Sequence, residues 1–246
     1  MIPQTFIQAW RSHAPWLLNA QIEQDLVISR ALVEIFSSAF LTGKLAFRGG
    51  TALNKIYISP PSRYSEDIDL VQIQQEPIGE VITSLHEILD PWPGKPKYKQ
   101  SESRVTLTYK FESEIHPITT MKLKIEINTR EHLSILGFDH TMFKVNNPWF
   151  QGEAPITIYK LEELLGTKLR ALYQRKKWRD LFDLVIVDHL LTNINWRSVG
   201  ECFENYLAQE GLSITRAEFE ENMFHKFNDI RFTEDMSLLL PVNQKI

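Results

Sequence analysis

The stretch Asp67-Ile68-Asp69-Leu70-Val71 restricts this chain more than any other. Strand side chains alternate between faces, so Asp67 and Asp69 share one face while Ile68 and Leu70 point into a core. Two neighbouring carboxylates repel, which is costly unless a cation sits between them. Mg²⁺ takes oxygen ligands and keeps room for phosphates and water. A solvated acidic strand end carries the same pattern, so the pair does not decide the matter alone.

Just upstream lies Phe47-Arg48-Gly49-Gly50-Thr51. Lys44–Arg48 reads as a short strand and residues 51–57 as the start of a helix. Two glycines at such a corner let a phosphate approach backbone N–H groups at a positive helix end. Thr51 adds a hydroxyl or caps the helix. An ordinary strand–helix turn has the same composition. Together, a phosphate cradle and a carboxylate pair are what nucleotidyl transfer requires: one grips the triphosphate and the other holds the metal that neutralises it.

Three further positions stand out. In Met121–Ile127 the apolar residues alternate cleanly, which puts Glu126 on the non-core face of a strand. It is a candidate third carboxylate, for the metal or for activating an acceptor hydroxyl, or else a solvent-facing partner of Lys124. In the helix expected over residues 161–174, Lys168 falls inside the stripe formed by Leu161, Leu165 and Leu172. It must reach water or meet an anion, such as a nucleoside triphosphate. In the helix expected over 178–191, Asp180 and, with less weight, Asp183 lie on an apolar face and need partners, with Arg170, Arg175 and Arg179 at hand. Residues 168–179 carry a basic cluster that suits either a phosphate-rich partner or a solvated turn. Arg48 and Arg63 flank the two main motifs and are candidates for holding phosphates or for pairing with the acidic strand.

A chain of 246 residues with 43% hydrophobic content has enough apolar side chain for a core. Its net charge of -4 means that any basic surface must be local. One cysteine, Cys202, excludes a disulfide framework and a cysteine zinc site. No leader-like or membrane-spanning segment is evident, so a cytoplasmic protein without a membrane partner is expected. A helix over 20–41, strands over 67–73, 104–111 and 121–127, a helix over 78–89 and an exposed loop at Pro91–Pro96 precede four helices over 161–174, 178–191, 196–209 and 215–227. The organisation expected is an α/β domain over 1–155 and a helical domain over 156–246.

In order, Phe47–Lys55, Arg63–Leu70, Lys124–Ile127, Glu162–Leu172 and Arg179–Leu184 resemble the AbiEii/AbiGii nucleotidyltransferase toxins of abortive-infection and toxin–antitoxin systems. The resemblance runs from about residue 25 to 190. It implies an α+β fold with a core like that of polymerase β-type nucleotidyltransferases, a mixed sheet with helices, followed by a helical C-terminal part. It implies Mg²⁺ (or Mn²⁺) as cofactor, an NTP as donor, RNA, chiefly tRNA, as acceptor, and a cognate antitoxin. Transfer to protein or to a small molecule, or NTP binding without turnover, are the other outcomes. By position, Asp67 and Asp69 match the metal pair, Gly50 and Thr51 the nucleotide turn, and Lys168 and Asp180 the later lysine and aspartate. Relative to the wider superfamily, Thr51 replaces a serine and fifteen residues separate it from Asp67.

Overall fold

The structure, a computed structural model, describes residues 2–233. The part of the expected helical domain at 234–246 lies outside them. The chain divides into two compact units. Among the described residues, one holds residues 2–133 together with Phe138–Tyr159, and the other holds Ser134–Gly137 and residues 160–233. A mixed-sheet unit and a helical unit give the α+β class.

In the first unit the helices are α1 (Gln4–Ala9), α2 (Asn19–Ser37), α3 (Ala39–Lys44), α4 (Gly49–Ala52) and α5 (Gly79–Leu89). The strands are β1 (Leu45–Arg48), β2 (Asp67–Gln72), β3 (Lys97–Ser101), β4 (Arg104–Glu112), β5 (Thr120–Asn128), β6 (Phe138–Asn147) and β7 (Phe150–Tyr159). Among the described residues they form one seven-stranded sheet in the order β3-β4-β5-β2-β1-β7-β6. β1 runs antiparallel to β2 and parallel to β7, and β2 runs parallel to β5. Hairpins join β3 to β4 and β6 to β7.

The alternation in the sequence sets the two faces. Val105, Leu107 and Tyr109 on β4, Leu123, Ile125 and Ile127 on β5, and Ile68 on β2 are fully buried. α2 lies against this sheet and buries Ile22, Leu26, Leu32 and Ile35. On the other face β4 and β5 present Thr106, Lys110, Lys122, Lys124 and Glu126, all exposed or half-buried.

The helix expected over 20–41 is two helices. Ser38 adopts extended backbone, and its hydroxyl accepts from Leu41 N at 3.3 Å to cap α3. β3, β6 and β7 were not expected. β3 is exposed along its whole length, and the inner positions of β6 include the polar Thr141 and Asn147, so neither shows a clean apolar alternation. The last four residues of β7 are buried in succession, because there it pairs with central strand β1.

The second unit is built on α6 (Leu161–Gln174), with α7 (Trp178–Leu190), α8 (Trp196–Gln209) and α9 (Arg216–Phe227), followed by α10 (Ile230–Thr233). A Cβ at Gly166 would stand 2.6 Å from Cys202 Cβ, so the glycine is what lets α6 and α8 meet this closely. Glu163, fully buried, accepts hydrogen bonds from Ser134 Oγ, Ile135 N, Leu136 N and Tyr206 OH. It thereby fixes the 134–137 segment onto the helices. Lys226 donates to the carbonyls of Leu172 and Tyr173, closing the C-terminal end of α6. Among the described residues no helix is long and apolar enough to cross a membrane.

Glu23 on α2 is 1% exposed and accepts from Glu114 N. Burial pushes its pKa up from 4.5 to about 7; the hydrogen bond from Glu114 N opposes the shift and the charge of Glu114 adds to it. The folded state therefore holds this proton more firmly than the unfolded chain does. The stability it contributes is complete below pH 4.5 and disappears as the pH rises through about 7. Thermal denaturation between pH 4.5 and 7 should show a falling midpoint for the native chain and a flatter profile for Glu23→Gln.

Candidate active site

Asp67 and Asp69 stand on β2 with their side chains on the open face, while Ile68 and Leu70 fill the core behind them. In the parallel register Asp67 lies opposite Lys124 and Asp69 opposite Glu126. Three carboxylates thus share one side of two adjacent strands. Lys124 answers part of the repulsion: its Nζ is 3.2 Å from Asp67 Oδ2 and 3.0 Å from Glu126 Oε1. Burial works against the charge of Lys124, but Glu126 and Asp67 outweigh it and raise its pKa. Arg104 Nη1 reaches the second oxygen of Glu126 at 3.1 Å.

The glycine corner meets this acidic edge. Arg48, at the end of β1, is in register with Asp69, so the turn that follows begins beside that carboxylate. Gly49 has φ +83°, a region L side chains rarely adopt. A Cβ there would fall 2.3 Å from Asp69 Oδ2. Only glycine leaves the space that the Asp69 carboxylate occupies. After α4 the helix widens into a π turn over Leu53–Tyr57.

Thr51 is 1% exposed. Its hydroxyl donates to the Asp67 carbonyl and shares a 2.7 Å hydrogen bond with Ser65 Oγ. In this structure the Thr51 hydroxyl therefore ties the glycine turn to the start of β2. Asn54, named in the sequence only as part of a longer motif, makes a second tie. Its Nδ2 donates to Gly50 O, and its Oδ1 accepts from Ser62 N, Ser62 Oγ and Arg63 N. Short-range pattern does not expose such a hub, because its partners lie in a loop eight and nine residues away.

The two arginines end differently. Arg48 donates to Glu131 Oε2 at 2.8 Å. Burial opposes its charge, but the fields of Tyr159, Glu131 and Asp69 outweigh it and raise its pKa further. Arg63, a candidate for holding phosphate or for pairing with the acidic strand, is 2% exposed and donates through Nη1 to Tyr64 O. The guanidinium is buried, and Nη1 engages the loop backbone. Glu126, a candidate third carboxylate for the metal or the acceptor hydroxyl, or else a partner of Lys124, is paired with Lys124 and Arg104. Among the described residues no three acidic, histidine or cysteine side chains gather round one point.

In the helical unit Lys168 meets the anions its position required, and they belong to the chain itself. Its Nζ lies 2.8 Å from Asp183 Oδ2 and 3.4 Å from Asp180 Oδ1, with both aspartates fully buried. Arg175 closes on Asp180 with two bonds of 2.6 and 2.8 Å. Burial pushes the Asp180 pKa up, but Arg175 and Lys168 outweigh this and hold it below the usual carboxylate range. Asp183, given less weight in the sequence, is the nearer partner of Lys168. The basic cluster around it is largely consumed: Arg170 pairs with Glu210, Arg175 with Asp180 and Lys176 with Asp229.

The model of the nucleotidyl transferase AbiEii toxin family, type IV toxin–antitoxin system, matches residues 30–245. The chain belongs to this family. It is thus a nucleotidyltransferase toxin, with an NTP as substrate and an antitoxin as partner. No curated protein sequence matches it. Among solved structures, the AbiEii-family chain is similar to the nucleotidyltransferase toxin MenT4 of Mycobacterium tuberculosis, with a TM-score of 0.62 at 15% identity over 95% of this chain and 92% of that one. It is also similar to JHP933 of Helicobacter pylori, with a TM-score of 0.53 at 17% identity over 90% and 87%. Identities this low speak for the fold alone.

Two substitutions separate the roles described. Gly49→Ala displaces the Asp69 carboxylate, and nucleotidyl transfer, followed as pyrophosphate release, should fall about a hundredfold while the chain stays folded. Lys168→Ala leaves two buried carboxylates short of their shared cation, and denaturant unfolding should register a loss of about 3–5 kcal/mol.

Proposed function

We propose that this toxin moves a nucleoside monophosphate from an NTP to an RNA acceptor, transfer RNA above all, with a divalent cation, Mg²⁺ in the first place, held by Asp67 and Asp69. One observation supports the reading above the others: the Asp69 carboxylate lies in the space that a side chain at Gly49 would fill, with Asp67 beside it on the same face. The carboxylate pair and the glycine corner converge on one place.

The donor set fits a hard cation. Its oxygens are carboxylate oxygens, and Asp67 is about one-third exposed. The Lys124 ammonium between Asp67 and Glu126 shows that this edge accepts positive charge. Bound there, the metal would supply charge neutralisation for the triphosphate. The chain's own groups do the rest. The N–H groups that open α4 take the phosphate tail, and the Arg48 guanidinium adds positive charge beside Asp69. Glu126, opposite Asp69, receives the acceptor hydroxyl's proton or completes the ligand set, once Lys124 and Arg104 yield it. The resemblance gives Lys168 and Asp180, paired within the helical unit, a part in handling the nucleotide. The family resemblance supports RNA as the acceptor.

With labelled NTPs and total cellular RNA, protein and metabolites, label should enter RNA. Asp67→Asn or Asp69→Asn should abolish both this labelling and growth arrest. Label confined to protein would reject the RNA acceptor, and full toxicity of Asp69→Asn would reject the catalytic pair.

A further inference from the structure

The open face of the sheet carries more than the acidic edge. Register places two rows of residues across it. One runs Lys97, Thr108, Lys124, Asp67 from β3 to β2. The next runs Lys99, Thr106, Glu126, Asp69 and ends at Arg48 on β1. Beyond the first row, Lys110 on β4 and Lys122 on β5 stand directly opposite each other. Like charges facing each other across a strand pair destabilise a sheet. Lys97, Lys99, Lys110 and Lys122 are all exposed. Among the described residues no ion pair engages any of the four, unlike Lys124 and Arg104 nearer the acidic pair. On β4 and β5 this face offers Glu112 and Glu126 in return, and Glu126 is already held twice. The whole chain has a net charge of -4, so four unpaired lysines on one sheet face are a local reversal of its charge.

We propose that this face, from β3 across β4 to β5, is the track on which the sugar–phosphate backbone of the RNA acceptor lies, delivering its end to Asp67 and Asp69. The inference rests on the RNA-acceptor reading above and adds to it the surface that does the holding. From β2 to β3 is three strand spacings, roughly 14 Å, and alternate residues along a strand are about 7 Å apart. The lysines therefore form a grid rather than a point, which suits a chain of phosphates better than one phosphate group. Threonines 106 and 108 lie between them and can donate to phosphate oxygens. Lysines on flexible stems neutralise phosphates without reading bases, so the track holds RNA by charge and leaves selection to other contacts.

The test combines Lys97→Gln, Lys99→Gln, Lys110→Gln and Lys122→Gln in the full chain, with the four arginine replacements as a companion. Fluorescein-labelled bulk tRNA reports binding by anisotropy across a salt series. The glutamine variant should bind at least about tenfold more weakly, and its slope of log affinity against log salt should be shallower by roughly three. The arginine variant should bind like the native chain. In transfer assays KM for RNA should rise in the glutamine variant, while KM for NTP and the rate at saturating RNA stay as they are. Unchanged RNA affinity and salt slope overturn the track, even where native chain labels RNA and the parent reading stands. Loss of antitoxin neutralisation with RNA affinity intact also overturns it and assigns the face to the antitoxin. Absence of RNA labelling by the native chain counts against the parent reading, and the anisotropy series still judges the track by itself.

Discussion

The contact between Asp69 and Gly49 is the constraint on which the arrangement of the candidate site depends. A carboxylate oxygen lies where the first atom of any side chain at position 49 would stand. Such proximity needs β1 and β2 in one register, with Arg48 opposite Asp69. It also needs the glycine turn pinned to the strand that follows it in the chain. Thr51 provides that pin at the Asp67 carbonyl, and Asn54 provides it through Gly50 and the 62–63 loop. Buried hydrogen bonds of this kind are costly to leave half-made, so the network resists slippage of the strand against the turn.

Carboxylates are handled in two opposite ways in the two units. Asp180 and Asp183 are fully buried, and both oxygens of Asp180 are saturated by Arg175 and Lys168. Asp67 and Glu126 are partly exposed and share a lysine that is itself one-third exposed. A saturated buried cluster resists exchange, because each ion removed leaves another uncompensated. The exposed edge can trade its lysine for another cation at little cost.

Much of this was legible in the sequence where the signal was local. Alternation over residues 105–109 and 121–127 gave the strands and their faces, and the Asp67–Asp69 spacing gave a shared side. The apolar stripe around Lys168 marked it as having to reach water or meet an anion. The sequence did not say that the anion would be Asp183, because the two lie on different helices and only packing joins them. Arg63 next to an acidic motif suggested a phosphate contact, whereas loop closure turned its guanidinium onto Tyr64 O. β3 and β6 escaped notice for a physical reason: β3 is exposed along its whole length, and the inner face of β6 mixes Phe143 and Val145 with the polar Thr141 and Asn147, so neither shows a clean apolar period. Glu126 could be placed on a face but not opposite Asp69, since register between strands 57 residues apart is settled by the sheet alone.

The close seating of α6 on α8 at Gly166 has a practical corollary. It encloses Cys202, the chain's single cysteine, and burial pushes the thiol up to about 11, so at neutral pH it is both hidden and protonated. Maleimide chemistry then has no native target in the folded protein. A cysteine introduced at an exposed position can carry a fluorophore or spin label without first removing the resident thiol, which would open a void between two helices.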